Sequence, residues 1–258
     1  REIFGGGDPG SVALLLFSIG TFVSAALIAR TFGVLALGPS HRLSRSMVDS
    51  LRSVTGDLVS GARTLHSHPD AARALLLVVI NRVSFGVVIS GSLLLLRNTF
   101  HQSVNANAAL ADFVVLSGCA ATAALIAAIL TPWVTRKIGI PHWSALTVGQ
   151  ASIGMLVFAL GATGQNFPLL ILAVFSLGFA GQAVKVCSDT VIQKQIPDTS
   201  LGRVFALFDM SVNVALVLGI IAVALLSPVT GVAPLLYLGV GVGLALANYW
   251  YWCTDRHR

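Results

Sequence analysis

Two charged residues, Arg82 and Asp209, lie inside otherwise apolar runs of this 258-residue sequence. Each has an amide nearby: Asn81 beside the arginine, and Asn213 one helical turn beyond the aspartate. An ionised side chain in hydrocarbon is costly, so it faces protein or water and is a functional candidate by default. Arg82 sits about 12 Å into its run at helical rise, and Asp209 about 7 Å into its own from the same end. By charge and depth Asp209 is the best acidic partner for Arg82; the plainer reading of Arg82 is a buried structural cation. A second polar series, Gln182, Lys185, Asp189 and Gln193, recurs at spacings of three and four and shares one helix face. Lys185 can extend to the interface and pair with Asp189, or serve as a gate contact. Asp112 opens another apolar run, where an acid suits a helix N-terminus, and is expected to act as a cap before an external gate.

The elements that must position these residues are apolar stretches at about 11–29, 74–96, 113–134, 143–162, 167–184, 204–227 and 232–252. Each approaches the roughly 20 residues that a helix needs to cross a bilayer. Continuous apolar runs, rather than ten-residue alternation, exclude a transmembrane barrel. Composition agrees, with 55% hydrophobic and 10% charged residues and a mean hydropathy of +0.86. The expected fold is all-α and polytopic, with seven transmembrane helices.

Arginines and lysines set the orientation. Arg30, Arg42, Arg45, Arg52, Arg63 and Arg73 flank the first gap, Arg136 and Lys137 the third, Lys185, Lys194 and Arg203 the fifth, and Arg256 and Arg258 end the chain. Only Arg1 and Arg97 lie on the opposite side, which predicts an outer N-terminus and a cytoplasmic C-terminus. Topology thus accounts for the net charge of +6, and no basic patch is left over for nucleic acid. Trp133, Trp143, Trp250 and Trp252, with Tyr249 and Tyr251, fall at cytoplasmic ends, where amphipathic rings favour the interface. All nine prolines are placed in gaps or near helix ends. Cys119, Cys187 and Cys253 form no disulfide framework or metal cluster by spacing, and none of the six histidines falls within a span.

The first run exceeds a usual signal-peptide core and is read as a membrane helix. The interval 39–72 carries Leu43, Met47, Leu51, Val54, Leu58 and Leu65 at mostly helical spacing, which predicts an amphipathic cytoplasmic connector. Six further spans follow as two groups of three, and any repeat between them must be inverted, as in secondary transporters. Gly239, Gly243 and Ala247 form a small-residue stripe expected to pack within the bundle, and Gly178 and Gly181 are expected to let their helix pack closely against a neighbour or bend.

The layout of one helix, a long linker and a six-helix bundle resembles the major facilitator superfamily, in particular its bacterial drug and siderophore exporters. Gly61-Ala-Arg-Thr-Leu-His-Ser-His-Pro69 resembles the approach to the family's seventh helix. Thr135-Arg-Lys-Ile-Gly139 is similar to its basic turn between the eighth and ninth helices. Ile196-Pro-Asp-Thr-Ser-Leu-Gly-Arg-Val-Phe205 is similar to the P-D-x-x-x-G-R-V entry to the eleventh, although Thr199, Ser200 and Leu201 replace the usual charged residues. The resemblance assigns residues 1–38 to an outer segment and the sixth helix, 39–72 to the central linker and 73–258 to the C-terminal six-helix half. It implies proton-coupled efflux of a small amphipathic molecule by alternating access. The implied partners are membrane lipid, the solute, protons and an N-terminal half.

Enzyme chemistry finds no support, because H-E-x-x-H, G-x-S-x-G and G-x-x-x-x-G-K-[ST] are all missing, and no cofactor is expected. Gly5-Gly-Gly7 precedes a membrane helix and is a poor nucleotide loop. A retinal protein would need a Schiff-base lysine, usually in the last helix, and 232–252 contains none. The competing class is a transporter-like sensor or scaffold, or a truncated transporter product, that moves no solute.

Overall fold

The computed structural model describes residues 9–31, 47–101 and 105–255. Arg1, Gly5–Gly7, the early linker with His41, Arg42, Leu43 and Arg45, and the terminal Arg256 and Arg258 lie outside the described residues. Eight α-helices and no strand occur among them: α1 Pro9–Thr31, α2 Met47–His66, α3 Pro69–Leu95, α4 Ala106–Ile138, α5 Ile140–Thr163, α6 Phe167–Gln195, α7 Asp198–Leu226 and α8 Pro234–Asp255. A π-helical turn, Leu96–Phe100, extends α3. The chain is an all-α polytopic membrane protein, in which α3 to α7 are each long and apolar enough to span a bilayer. Helix α8 has 22 residues and gives up apolarity at its Asn248–Trp252 end.

Two compact units divide at Arg52/Ser53. In the first, α1 exposes Ile19, Phe22, Leu27 and Ile28, the surface of an apolar helix made for lipid or another helix. In the second, local chemistry sets the helix ends. Asn105 accepts from the Ala108 amide and Asn166 from that of Leu169, satisfying donors that a first turn leaves free. Pro69, Pro141 and Pro168 sit at first turns, where a missing N–H costs nothing. Gly139, at φ +84°, supplies the left-handed joint between α4 and α5.

Three sequence expectations change at this level. Helix α4 runs on to Ile138, so Pro132 lies inside it rather than at its edge. Apolar length alone ended the span too early, because Arg136 and Lys137 continue the helix into the polar region. Asp112 is no cap: α4 starts six residues earlier, and the aspartate instead meets His101 Nε2 at 2.8 Å. The stripe at Gly239 and Gly243 faces open space, while Gly241 packs the helix inward against Met155 and Ser152. Four-residue spacing identified a helix face without saying whether that face turned inward.

The core gathers where α3, α5, α6 and α8 meet. Phe158 and Tyr237 are fully buried edge to face, with centroids 4.9 Å apart, and the Tyr237 hydroxyl donates to the Gly231 carbonyl. Such a ring pair adds about 1 kcal/mol beyond its area. Dispersion matters here because lipid is as apolar as leucine and provides no hydrophobic drive between helices. Helices α3 and α7 come closest: a Cβ on Gly86 would overlap the Leu216 carbonyl, and one on Gly219 would overlap that of Val83. The later turns of α2 reach the start of α7, where Asp57 pairs with Arg203 at 3.2 Å and Gly61 abuts the Arg203 backbone.

Candidate functional site

Helix α3 has two working faces. Val83, Gly86 and Val87 meet α7, whereas Asn81, Phe85, Val88, Ile89 and Ser92 turn the other way. At about 100° per residue these sets lie nearly opposite one another. The second face opens into a crevice of about 470 Å³ between α3, α4 and α6. Arg82 lies along it, half-buried, with its guanidinium carbon 5.6 Å from the centre of the Phe85 ring. That contact suits an arginine in an apolar wall, because the ring face attracts a cation where no carboxylate does. Arg82 takes part in none of the described salt bridges.

Two polar groups without partners accompany it. Asn81 is 3% exposed and its Nδ2 makes no hydrogen bond; Ser92 is 2% exposed and its Oγ makes none. A buried donor left unmade costs about 1–3 kcal/mol, so two in one crevice call for a functional account. Close backbone approach builds the opposite wall, with a Cβ on Gly178 falling 2.7 Å from the Ala120 carbonyl and one on Gly181 falling 3.0 Å from Asn81 Oδ1. The glycines thus hold α6 against α4 and against Asn81, as their sequence positions suggested. Gln182 adds another amide to the lining. A guanidinium, two amides and the hydroxyls of Ser92 and Ser117 in an apolar wall can hold an acceptor-bearing or anionic group on a largely apolar molecule.

The other sequence candidates are distributed differently. Asp209 is exposed on α7, and Asn213 donates to its carbonyl oxygen at 2.8 Å. The Arg82–Asp209 ion pair is not among the described salt bridges, and Arg82 lines the crevice between α3, α4 and α6 instead. Lys185 and Asp189 do pair, at 2.7 Å, with the ammonium 5.7 Å from the Phe208 ring centre. Gln193 on the same series is exposed, so the stripe divides among crevice, ion pair and surface. Asp112 and His101 join the start of α4 to the end of α3. Sequence reading missed Ser92, since a lone serine in an apolar run carries no pattern.

Over 239 residues, 92% of its length, the chain is 30% identical to an uncharacterized MFS-type transporter of Mycobacterium bovis and to another of Mycobacterium tuberculosis. It resembles the C-terminal half of an MFS-type transporter. The chain spans about half, 52%, of the length of these relatives. No family model matches it, and no solved structure gives a significant match. Both relatives are described as MFS-type transporters, the superfamily that the layout and motifs of the chain resemble.

Proposed function

We propose that the chain forms one half of a secondary active transporter that exports a small amphipathic molecule in exchange for protons by alternating access. The observation that carries this reading is the convergence of Arg82 with the unpartnered Asn81 and Ser92 in a crevice inside an apolar bundle. These groups would grip an anionic or acceptor-rich part of the solute while the apolar walls take the rest. Residues 73–258 form the transporting bundle in this reading, 39–72 its cytoplasmic linker, and 1–38 the outer segment and last helix of the preceding half. In this reading the N-terminus lies outside and the C-terminus in the cytoplasm, which the arginine distribution supports.

An N-terminal half completes the transporter. Its support is the uneven burial of the spans: 17% of the most apolar window of α4 and 28% of that of α7 is buried, against 56% in α3 and α5. Asp209 adds to this, since a carboxylate on the open side of a membrane helix needs protein or water against it rather than lipid. We assign Asp209 the proton-carrying role and Arg82 the solute-binding role, with Lys185–Asp189 and Asp112 as inner and outer gate contacts. Proton flux during efflux of lipophilic acids, lipophilic cations and siderophores from proteoliposomes tests the reading. Arg82→Gln should lower solute flux at least tenfold, and Asp209→Asn should uncouple it from protons. Unchanged flux and coupling in both variants would overturn the assignment. Specific solute binding without flux from the complete, correctly inserted protein would instead establish the sensor reading.

A further inference from the structure

Helices α4 and α6 and the first residue of α5 enclose a second polar pocket, at the end of the bundle where the basic residues gather. Its volume is about 310 Å³. Arg136 and Lys194 line it together with Thr131, Thr135, Thr190 and Cys187, and no carboxylate is among the lining residues. Neither cation joins a described salt bridge. The neighbouring Lys137 is engaged elsewhere, 3.9 Å from the centre of the Trp133 ring. Helical steps of about 100° put Trp133 and Lys137 across α4 from Thr131 and Thr135.

The walls are fixed by their own hydrogen bonds. Thr135 donates to the Thr131 carbonyl and Thr190 to that of Val186, both at 2.8 Å. Thr131 Oγ1 accepts from Trp143 Nε1 at 3.1 Å and is almost fully buried. A shaped recess with a guanidinium and an ammonium at its mouth, and no acid to neutralise them, is complementary to a group with negative charge and several acceptor oxygens. Phosphate is that group, because arginine offers it a planar fork and lysine a point charge. The recess lies where two spanning helices leave their apolar stretches, and Leu125 and Ile129, eleven and seven residues before Arg136 on the same stripe of α4, are exposed along the helix from it. A phosphate delivered there on a diacylglycerol would place its chains against those side chains.

We propose that this pocket binds the phosphate of an anionic phospholipid, with Arg136 and Lys194 as its two ligands. A basic residue near a membrane surface strengthens anionic-lipid binding about fivefold, so Arg136→Gln and Lys194→Gln should each weaken it by that factor and the double variant by about 25-fold. The experiment is native mass spectrometry of protein expressed from its full reading frame, titrated in detergent with phosphatidylglycerol. The first bound lipid should be lost in the double variant and retained in Arg63→Gln, which removes one charge from exposed α2. Thr190→Leu keeps every charge and fills the recess, and should weaken the same binding at least fivefold. Phosphatidylcholine should not compete, nor should millimolar inorganic phosphate. Equal loss in Arg63→Gln, or unchanged binding in both the double variant and Thr190→Leu, would overturn the site. Competition by phosphatidylcholine would overturn its charge selectivity, and displacement by inorganic phosphate would assign the pocket to a free anion instead.

Discussion

Helix α3 is closed on one face and open on the other, and the two faces obey different rules. Against α7 it narrows to glycine at one point, where Gly86 and Gly219 bring the backbones together with no room for a methyl group. Against α4 and α6 it keeps Asn81, Arg82 and Ser92, accepting unsatisfied polar groups in a crevice that stays open. In lipid, tight packing is a source of stability, and a polar group left without a partner is a cost. One helix therefore separates the two demands by face: the seam holds the bundle together, and the crevice keeps polar groups available for a solute.

The contrast can be broken most severely from the seam. Gly86→Ala and Gly219→Ala would each gain up to about 1 kcal/mol of helix propensity. The overlap with a neighbouring carbonyl outweighs that gain, so each should destabilise by about 3 kcal/mol, read as a lower thermal midpoint in detergent. From the crevice side, Arg82→Gln should leave that midpoint within about 0.5 kcal/mol while solute flux falls tenfold, since its local support is a single cation–ring contact. Ser92→Ala is milder: the midpoint holds or rises by up to about 1 kcal/mol, because an unmade hydrogen bond is removed, and solute affinity drops about fivefold in equilibrium binding. The smallest effect belongs to Gly239→Ala, where nothing lies within 4 Å of the new methyl group; its midpoint should move by less than about 0.5 kcal/mol. A large loss there would mean that a covering surface meets that stripe.

The spans were legible because hydrocarbon forces long uninterrupted apolar runs, and α3 to α7 contain the stretches read from them. Arg82 and Asn81 stood out for the same reason, as exceptions to that rule. Partner choice was far less legible. Arg82 and Asp209 had suitable depth and charge, yet pairing depends on which face α3 turns toward α7, and that is decided by Gly86 meeting Gly219, two isolated glycines with no shared motif. Lys185 and Asp189 could be paired from the chain alone because four residues on one helix fix their distance without reference to any neighbour. The link from Asp57 to Arg203 escaped notice, as it joins segments far apart in sequence through surface charges of ordinary appearance.

The π-helical turn after α3 bears on the order of assembly during synthesis. Asn98 donates to the Val229 carbonyl and Thr99 to that of Thr230, each across 131 residues of chain. Chains emerge at roughly 5–20 residues per second, so α3 is made many seconds before these acceptors exist. The last hairpin therefore acts as a latch thrown at the close of biogenesis. A ribosome that stops short of Val229 releases a bundle whose third helix has not received its final fastening.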